Sequence, residues 1–157
     1  MCNFLTSSEN LVLEQALLLL EKIMEQHPSY GDTPQFSNPE IVRDYLRMKI
    51  ATDDRENFVV LFLDNQHKLI SSEVLFQGTF NTSAVYPREI IKRALELNAG
   101  ALILAHNHPS GKSTPSEADK NITFKIKQAA ELFDIRVLDH FVVTLKDTFS
   151  FVENFIL

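Results

Sequence analysis

An apolar run, Ala99 to Ala105, ends abruptly in His106-Asn107-His108-Pro109, and Ser116 and Asp119 follow shortly after. Such a run fits a buried strand. Residues two apart in a strand point to the same side, so His106 and His108 aim both imidazoles at one point. The intervening Pro109-Ser110-Gly111-Lys112-Ser113-Thr114-Pro115 is dense in turn residues, which brings Asp119 back as a third ligand. Two imidazoles and one carboxylate leave a coordination position open for water, the arrangement of a catalytic rather than a structural zinc site.

The rest of the composition narrows what surrounds that site. At 157 residues with 45% hydrophobic content, the chain has room for one globular domain with a sizeable core. A formal net charge of −6 argues against a protein that coats nucleic acid or binds an anionic membrane surface. The single cysteine, Cys2, excludes an intrachain disulfide and a thiolate cage, so a metal must rest on nitrogen and oxygen ligands. It also fits a reducing compartment. The opening residues lack a basic region, and Leu11 to Leu20 is broken by Glu14 and Gln15, so neither a signal peptide nor a membrane span is expected. The expectation is a soluble, cytoplasmic protein.

Periodicity orders the elements. Apolar residues recur at helical spacing from Ser8 to about His27 (Leu11, Leu18, Ile23), and their stripe is a packing face, either onto the main domain or against a second copy in a homodimer. Tyr30 to Ser37 reads as a linker. Asn38-Pro39-Glu40 caps a second helix reaching about Ile50. Phe58 to Leu63 and Lys68 to Phe76 form a hairpin around Asp64-Asn65-Gln66-His67. Pro87 opens a helix to about Asn98, which leads into the strand carrying the histidines. Thr114-Pro115-Ser116-Glu117 reads as a capping box, with Asp119 about one turn inside the next helix and Ser116 on its face. Arg136 to Thr144 and Thr148 to Glu153 close the chain as strands. The order implies an α/β fold: a mixed β-sheet flanked by helices, with an N-terminal helical extension over residues 1–35 and the main domain over residues 36–157.

A hydrolytic metal site needs a general base that is not itself a ligand. Glu73 interrupts the otherwise apolar Leu69 to Phe76, where a carboxylate is costly to bury without a partner, and is the first choice; Glu56 is the fallback. Ser116, near a helix N-terminus, is placed to donate to an oxyanion. His140, beside Asp139 in an apolar strand, is read as a core histidine satisfied by backbone, ahead of the alternative that it orients a metal ligand. Arg88, Lys92, Arg93, Lys120, Lys125 and Lys127 are read as solvated helix faces. Gly111-Lys112-Ser113-Thr114 imitates the end of a phosphate-binding loop, but His106 stands where its first glycine is required.

The stretch His106-x-His108, seven residues, Ser116, two residues, Asp119 resembles the JAMM/MPN metalloprotease motif, which adds an upstream glutamate. More narrowly, His106 to Gly111, with Pro115-Ser116, Asp119, Tyr86-Pro87-Arg88-Glu89 and Leu138-Asp139-His140, resembles the RadC family over roughly residues 36 to 157. The resemblance implies a JAMM/MPN (cytidine-deaminase-like) fold with one zinc ion held by His106, His108 and Asp119. It also implies a metallopeptidase or isopeptidase in which Glu73 activates water and Ser116 supports the oxyanion, with a peptide or protein as substrate. JAMM peptidases usually carry Ser or Thr between the histidines, where this chain has Asn107. The RadC family is associated with DNA repair, so the alternative is a non-enzymatic repair or recombination factor that binds DNA. Its helix-hairpin-helix region has no glycine-centred counterpart in residues 1–35.

Overall fold

The computed structural model describes residues 6–26, 36, 38–78 and 85–157; within 6–26 the side chains are described up to residue 19. Cys2 and most of the expected linker before Asn38 lie outside the described residues. Helix α1 spans Ser7–Gln26 and α2 Pro39–Ile50; strands β1 (Asn57–Leu63) and β2 (Leu69–Gln77) form the hairpin; α3 (Pro87–Glu96), β3 (Ala101–Asn107), α4 (Glu117–Glu131), β4 (Arg136–Val143) and β5 (Thr148–Ser150) follow. Asn38 caps α2 by accepting from the Glu40 N–H at 3.0 Å, with Pro39 at the first helical position. Asn98, at φ 52°, takes the left-handed turn from α3 towards β3, a conformation asparagine tolerates better than most residues.

The sheet runs β2-β1-β3-β4-β5, with β3 and β4 parallel and the other pairs antiparallel. It is therefore the mixed, helix-flanked sheet expected. Strands β1 and β3 are buried along their whole length, which is why they read as continuous apolar runs instead of alternating patterns. On one face Tyr45, Leu46 and Ile50 of α2 pack on Val59, Leu61 and Ile103. On the other, Ile90 and Ala94 of α3 and Ile126 and Ala130 of α4 pack on Val60, Phe62, Leu102 and Leu104. Each such large apolar side chain contributes about 1.5–3 kcal/mol on burial. Leu17 of α1 rests against the α2 layer.

Two local departures from the expected pattern shape the site. The cap of α4 is Ser116, not Thr114: its hydroxyl accepts from the Asp119 N–H while the Asp119 carboxylate accepts from the Ser116 N–H, a reciprocal box that leaves Pro115 outside the helix. Glu117, read as the box partner, pairs instead with Lys120. In β4, Leu102 pairs with Val137 and Ile103 with Asp139, so Leu138 is an extra residue on that strand. That extra residue shifts the alternation. Leu104 then pairs with His140, which puts the His140 imidazole on the α3/α4 face.

Candidate metal centre

His106 sits near the end of β3, fully buried, in register with Phe58 of β1 and Val142 of β4. The strand pairing continues one step beyond Asn107, because the His108 N–H donates to the Val143 carbonyl at 2.9 Å. His106 and His108 therefore share a face, as the two-residue spacing requires. The turn that follows, with Gly111 at φ 78°, places the Lys112 carbonyl 2.7 Å from His108 Nδ1, where the ring N–H donates to it. Asp119 enters from the first turn of α4, buried, and its carboxylate is oriented by the Ser116 N–H at 2.6 Å and the Ser116 hydroxyl at 2.7 Å.

These elements bring three ligand atoms together. His106 Nε2 lies 2.9 Å from His108 Nε2; Asp119 Oδ1 lies 3.5 Å from the first and Oδ2 3.6 Å from the second. All lie within 4.8 Å of one another, and among the described residues this group of His and Asp side chains could hold a metal ion. The donor set is nitrogen and oxygen, suited to zinc and to other divalent first-row metals. Burial works to raise the Asp119 pKa, but the close contacts with His106 and His108 and the hydrogen bond from Ser116 outweigh it and hold the carboxyl far below its ordinary range. Burial pushes His106 down, towards the neutral form a metal requires. His108 is raised, first by its hydrogen bond to Asp119 and in smaller part by the Glu56 carboxylate.

Other residues stand differently from their sequence readings. Glu73, the first choice as base, is held by Arg93 of α3: Arg93 Nε lies 3.1 and 3.0 Å from its two oxygens and Nη2 2.8 Å from Oε1. It pairs with Val60, whereas His106 is registered on Phe58. The structure thus directs Glu73 to Arg93, which partners a half-buried carboxylate that looked unpartnered in the sequence. Glu56, just before β1, is a second carboxylate, after Asp119, whose charge acts on both His106 and His108. A cavity of about 450 Å³ is lined by Asp54, Arg55, Glu56 and Gly78 on one side and by Pro109 and Ser110, directly after His108, on the other.

Asn107 points away from the metal face and braces the segment that carries Glu56. Its Oδ1 accepts from the Asn57 N–H at 2.7 Å, and its Nδ2 donates to the Arg55 carbonyl at 2.9 Å and to the Asp53 carbonyl at 3.3 Å. His140 is not a histidine satisfied by backbone. Its ring is buried between Phe151 and Phe58 and bonds to the side chains of His106 and Thr123. Arg88, Arg93 and Lys120 are ion-paired with Glu89, with Glu73 and Glu96, and with Glu117, in keeping with solvated helix faces. Among the described residues no helix is long and apolar enough to cross a membrane.

A mixed five-stranded sheet that brings His-x-His from a strand end against Ser-x-x-Asp at a helix start defines a JAB-type domain with a site fit for a metal ion. The chain belongs to the RadC-like JAB domain family, which matches residues 36–156. It is 60% identical over 120 residues to a UPF0758 protein of Histophilus somni (strain 2336), a match covering 76% of this chain and 54% of that one. A UPF0758 protein of Haemophilus influenzae (strain PittEE) is 58% identical over 125 residues, covering 80% and 57% of the two chains. One of Methylibium petroleiphilum is 54% identical over 124 residues, covering 79% and 56%. The chain thus spans about half the length of the curated relatives it matches.

Proposed function

We propose that this protein is a zinc-dependent hydrolase that cleaves an amide, most naturally a peptide or isopeptide bond, with residues 36–157 forming the catalytic domain and residues 1–35 a helical extension. The observation that carries the proposal is the convergence of His106, His108 and Asp119 ligand atoms within 4.8 Å, with Glu56 lining a cavity whose other wall, Pro109 and Ser110, directly follows His108. When bound there, one zinc ion supplies a Lewis acid that brings the pKa of water to about 7. The residues of the chain supply the rest. Glu56, not Glu73, takes the role of general base: it lines the cavity, whereas Glu73 is engaged by Arg93. A carboxylate in that position accepts the proton of the attacking water and passes it to the leaving amine. Ser116 orients Asp119 through its N–H and hydroxyl, and in the oxyanion role its hydroxyl hydrogen swings from Asp119 to the substrate while the N–H keeps the carboxylate in place. A non-enzymatic DNA-binding role has less support, because several of its candidate cations are matched by acidic neighbours.

Mass spectrometry of gently purified protein tests the site, with His108→Ala and Asp119→Ala as controls. About one zinc per chain, lost in both variants, is the expected result. Hydrolysis of a fluorogenic peptide or isopeptide panel that stops with chelator tests the activity. Absence of metal after zinc is supplied would sink the hydrolase reading.

A further inference from the structure

Behind the ligand atoms a chain of hydrogen bonds runs through the core between β3, β4 and α4. His106 Nδ1 lies 2.8 Å from His140 Nε2; His140 Nδ1 lies 2.5 Å from Thr123 Oγ1; and the Thr123 hydroxyl donates to the backbone carbonyl of Asp119, also at 2.5 Å. His106, His140 and Thr123 are all buried. The direction of this chain follows from its last member. A carbonyl has no proton to give, so the single hydrogen of the Thr123 hydroxyl is committed to it, and Thr123 must accept from His140 Nδ1–H. An imidazole protonated at Nδ1 is bare at Nε2 when neutral, and the His140 ring lies fully buried between Phe58 and Phe151, surroundings that disfavour a charged imidazolium. The bare His140 Nε2 accepts from His106 Nδ1–H. His106 is left with its proton on Nδ1 and a lone pair on Nε2.

His108 is oriented by a shorter route, its Nδ1–H donating to the Lys112 carbonyl. The His106 Nε2 lone pair therefore faces His108 Nε2 at 2.9 Å, beside the Asp119 carboxylate. We propose that Thr123 and His140 are positioning residues that fix the His106 tautomer and ring plane before any ion arrives, so that the Nε2 lone pair is already aimed at the metal position. The proposal deepens the zinc reading and rests on it for its purpose, but the tautomer itself is a property of the ion-free protein. Ring contacts hold the geometry: His140 stacks on Phe151 with centroids 4.7 Å apart, and His106 lies parallel to Phe58 at 6.3 Å. Hydrogen bonds of this kind to the second nitrogen of a ligand histidine set which nitrogen binds, and their loss typically weakens metal binding 10- to 100-fold.

The decisive experiment is long-range ¹H–¹⁵N NMR of the imidazoles in ion-free protein, together with zinc affinity by chelator competition, for wild type, Thr123→Val, Thr123→Ser and His140→Gln. Wild-type His106 is expected as the Nδ1–H tautomer. Thr123→Val, which keeps shape and removes the acceptor for His140, should give mixed tautomers at His106 and a zinc affinity at least tenfold weaker. Thr123→Ser should restore both, and His140→Gln, which can still accept and donate, should fall between. An Nε2–H tautomer in the wild type overturns the relay, as does a Thr123→Val protein with the wild-type tautomer and affinity. A wild type that shows the Nδ1–H tautomer yet binds no zinc overturns the hydrolase reading and leaves the relay standing, so the two failures are separable.

Discussion

Arg93 grips Glu73 at two points, its Nε and Nη2 both donating to the carboxylate across the gap between α3 and β2. The contact lowers the Glu73 pKa, chiefly through the hydrogen bonds from the guanidinium. An anion stabilised in this way is a poor proton acceptor. The contact ties the edge strand to the helix.

Two glutamates should therefore separate cleanly by substitution. Glu56→Gln is expected to retain zinc and lose turnover by about 10²–10⁴-fold, the usual worth of a general base. Glu73→Gln is expected to retain both zinc and turnover. Metal content and the rate on a cleavable peptide, measured on the same preparations, decide between them; the opposite pattern would return the role of base to Glu73.

The same ion pair carries a pH signature. A carboxyl whose folded pKa is depressed contributes stability above its unfolded value, about 4.3 for glutamate, and loses it as the pH falls through the folded value. Chemical unfolding at a series of pH values from 7 to 3 should show Glu73→Gln less stable than wild type at neutral pH, with the difference fading below about pH 4. A gap that stays constant over that range would assign the effect to packing instead.

Asn107 is expected to matter twice. Removing its amide leaves the Asn57 N–H and the Arg55 carbonyl without their partner, at a cost of about 2–3 kcal/mol. Because that segment carries Glu56, Asn107→Ala should also lower turnover by more than it lowers zinc affinity. Thermal unfolding, zinc titration and turnover on one variant make the comparison.

Ser116→Ala removes the cap of α4 and one of the bonds that orient Asp119. A stability loss of about 1 kcal/mol is expected from the cap, together with weaker zinc binding. Thermal melts with and without chelator test this. In the wild type, zinc at a hundred times its Kd should stabilise by about 2.7 kcal/mol, and chelator should abolish that increment. Ser116→Ala should show a smaller response at equal zinc.

The clustering of His106, His108 and Asp119 was legible in the sequence because local rules suffice for it: two residues apart on a strand, then a turn, then a helix start. The order of elements and the mixed sheet were legible for similar reasons. Glu73 was not, since its partner Arg93 is brought beside it by the packing of α3 on the sheet, which no local pattern encodes. His140 was ranked first as a core histidine, and its contact with His106 turns on a single residue. Strict alternation from Val137 would turn its ring to the α2 face, and the extra Leu138 turns it towards His106 instead. The cap of α4 was placed two residues early, because Thr114-Pro115 carries a helix-start signal as strong as that of Ser116.

Asp119 takes part at both ends of the site: its carboxylate meets the imidazoles, and its carbonyl receives the Thr123 hydroxyl. The first turn of α4 cannot fray without withdrawing a ligand and freeing the Thr123–His140 chain in one event. Occupancy by an ion and closure of that turn are then a single equilibrium. Backbone amides of early α4 should exchange with solvent at a rate that reports how long an ion stays.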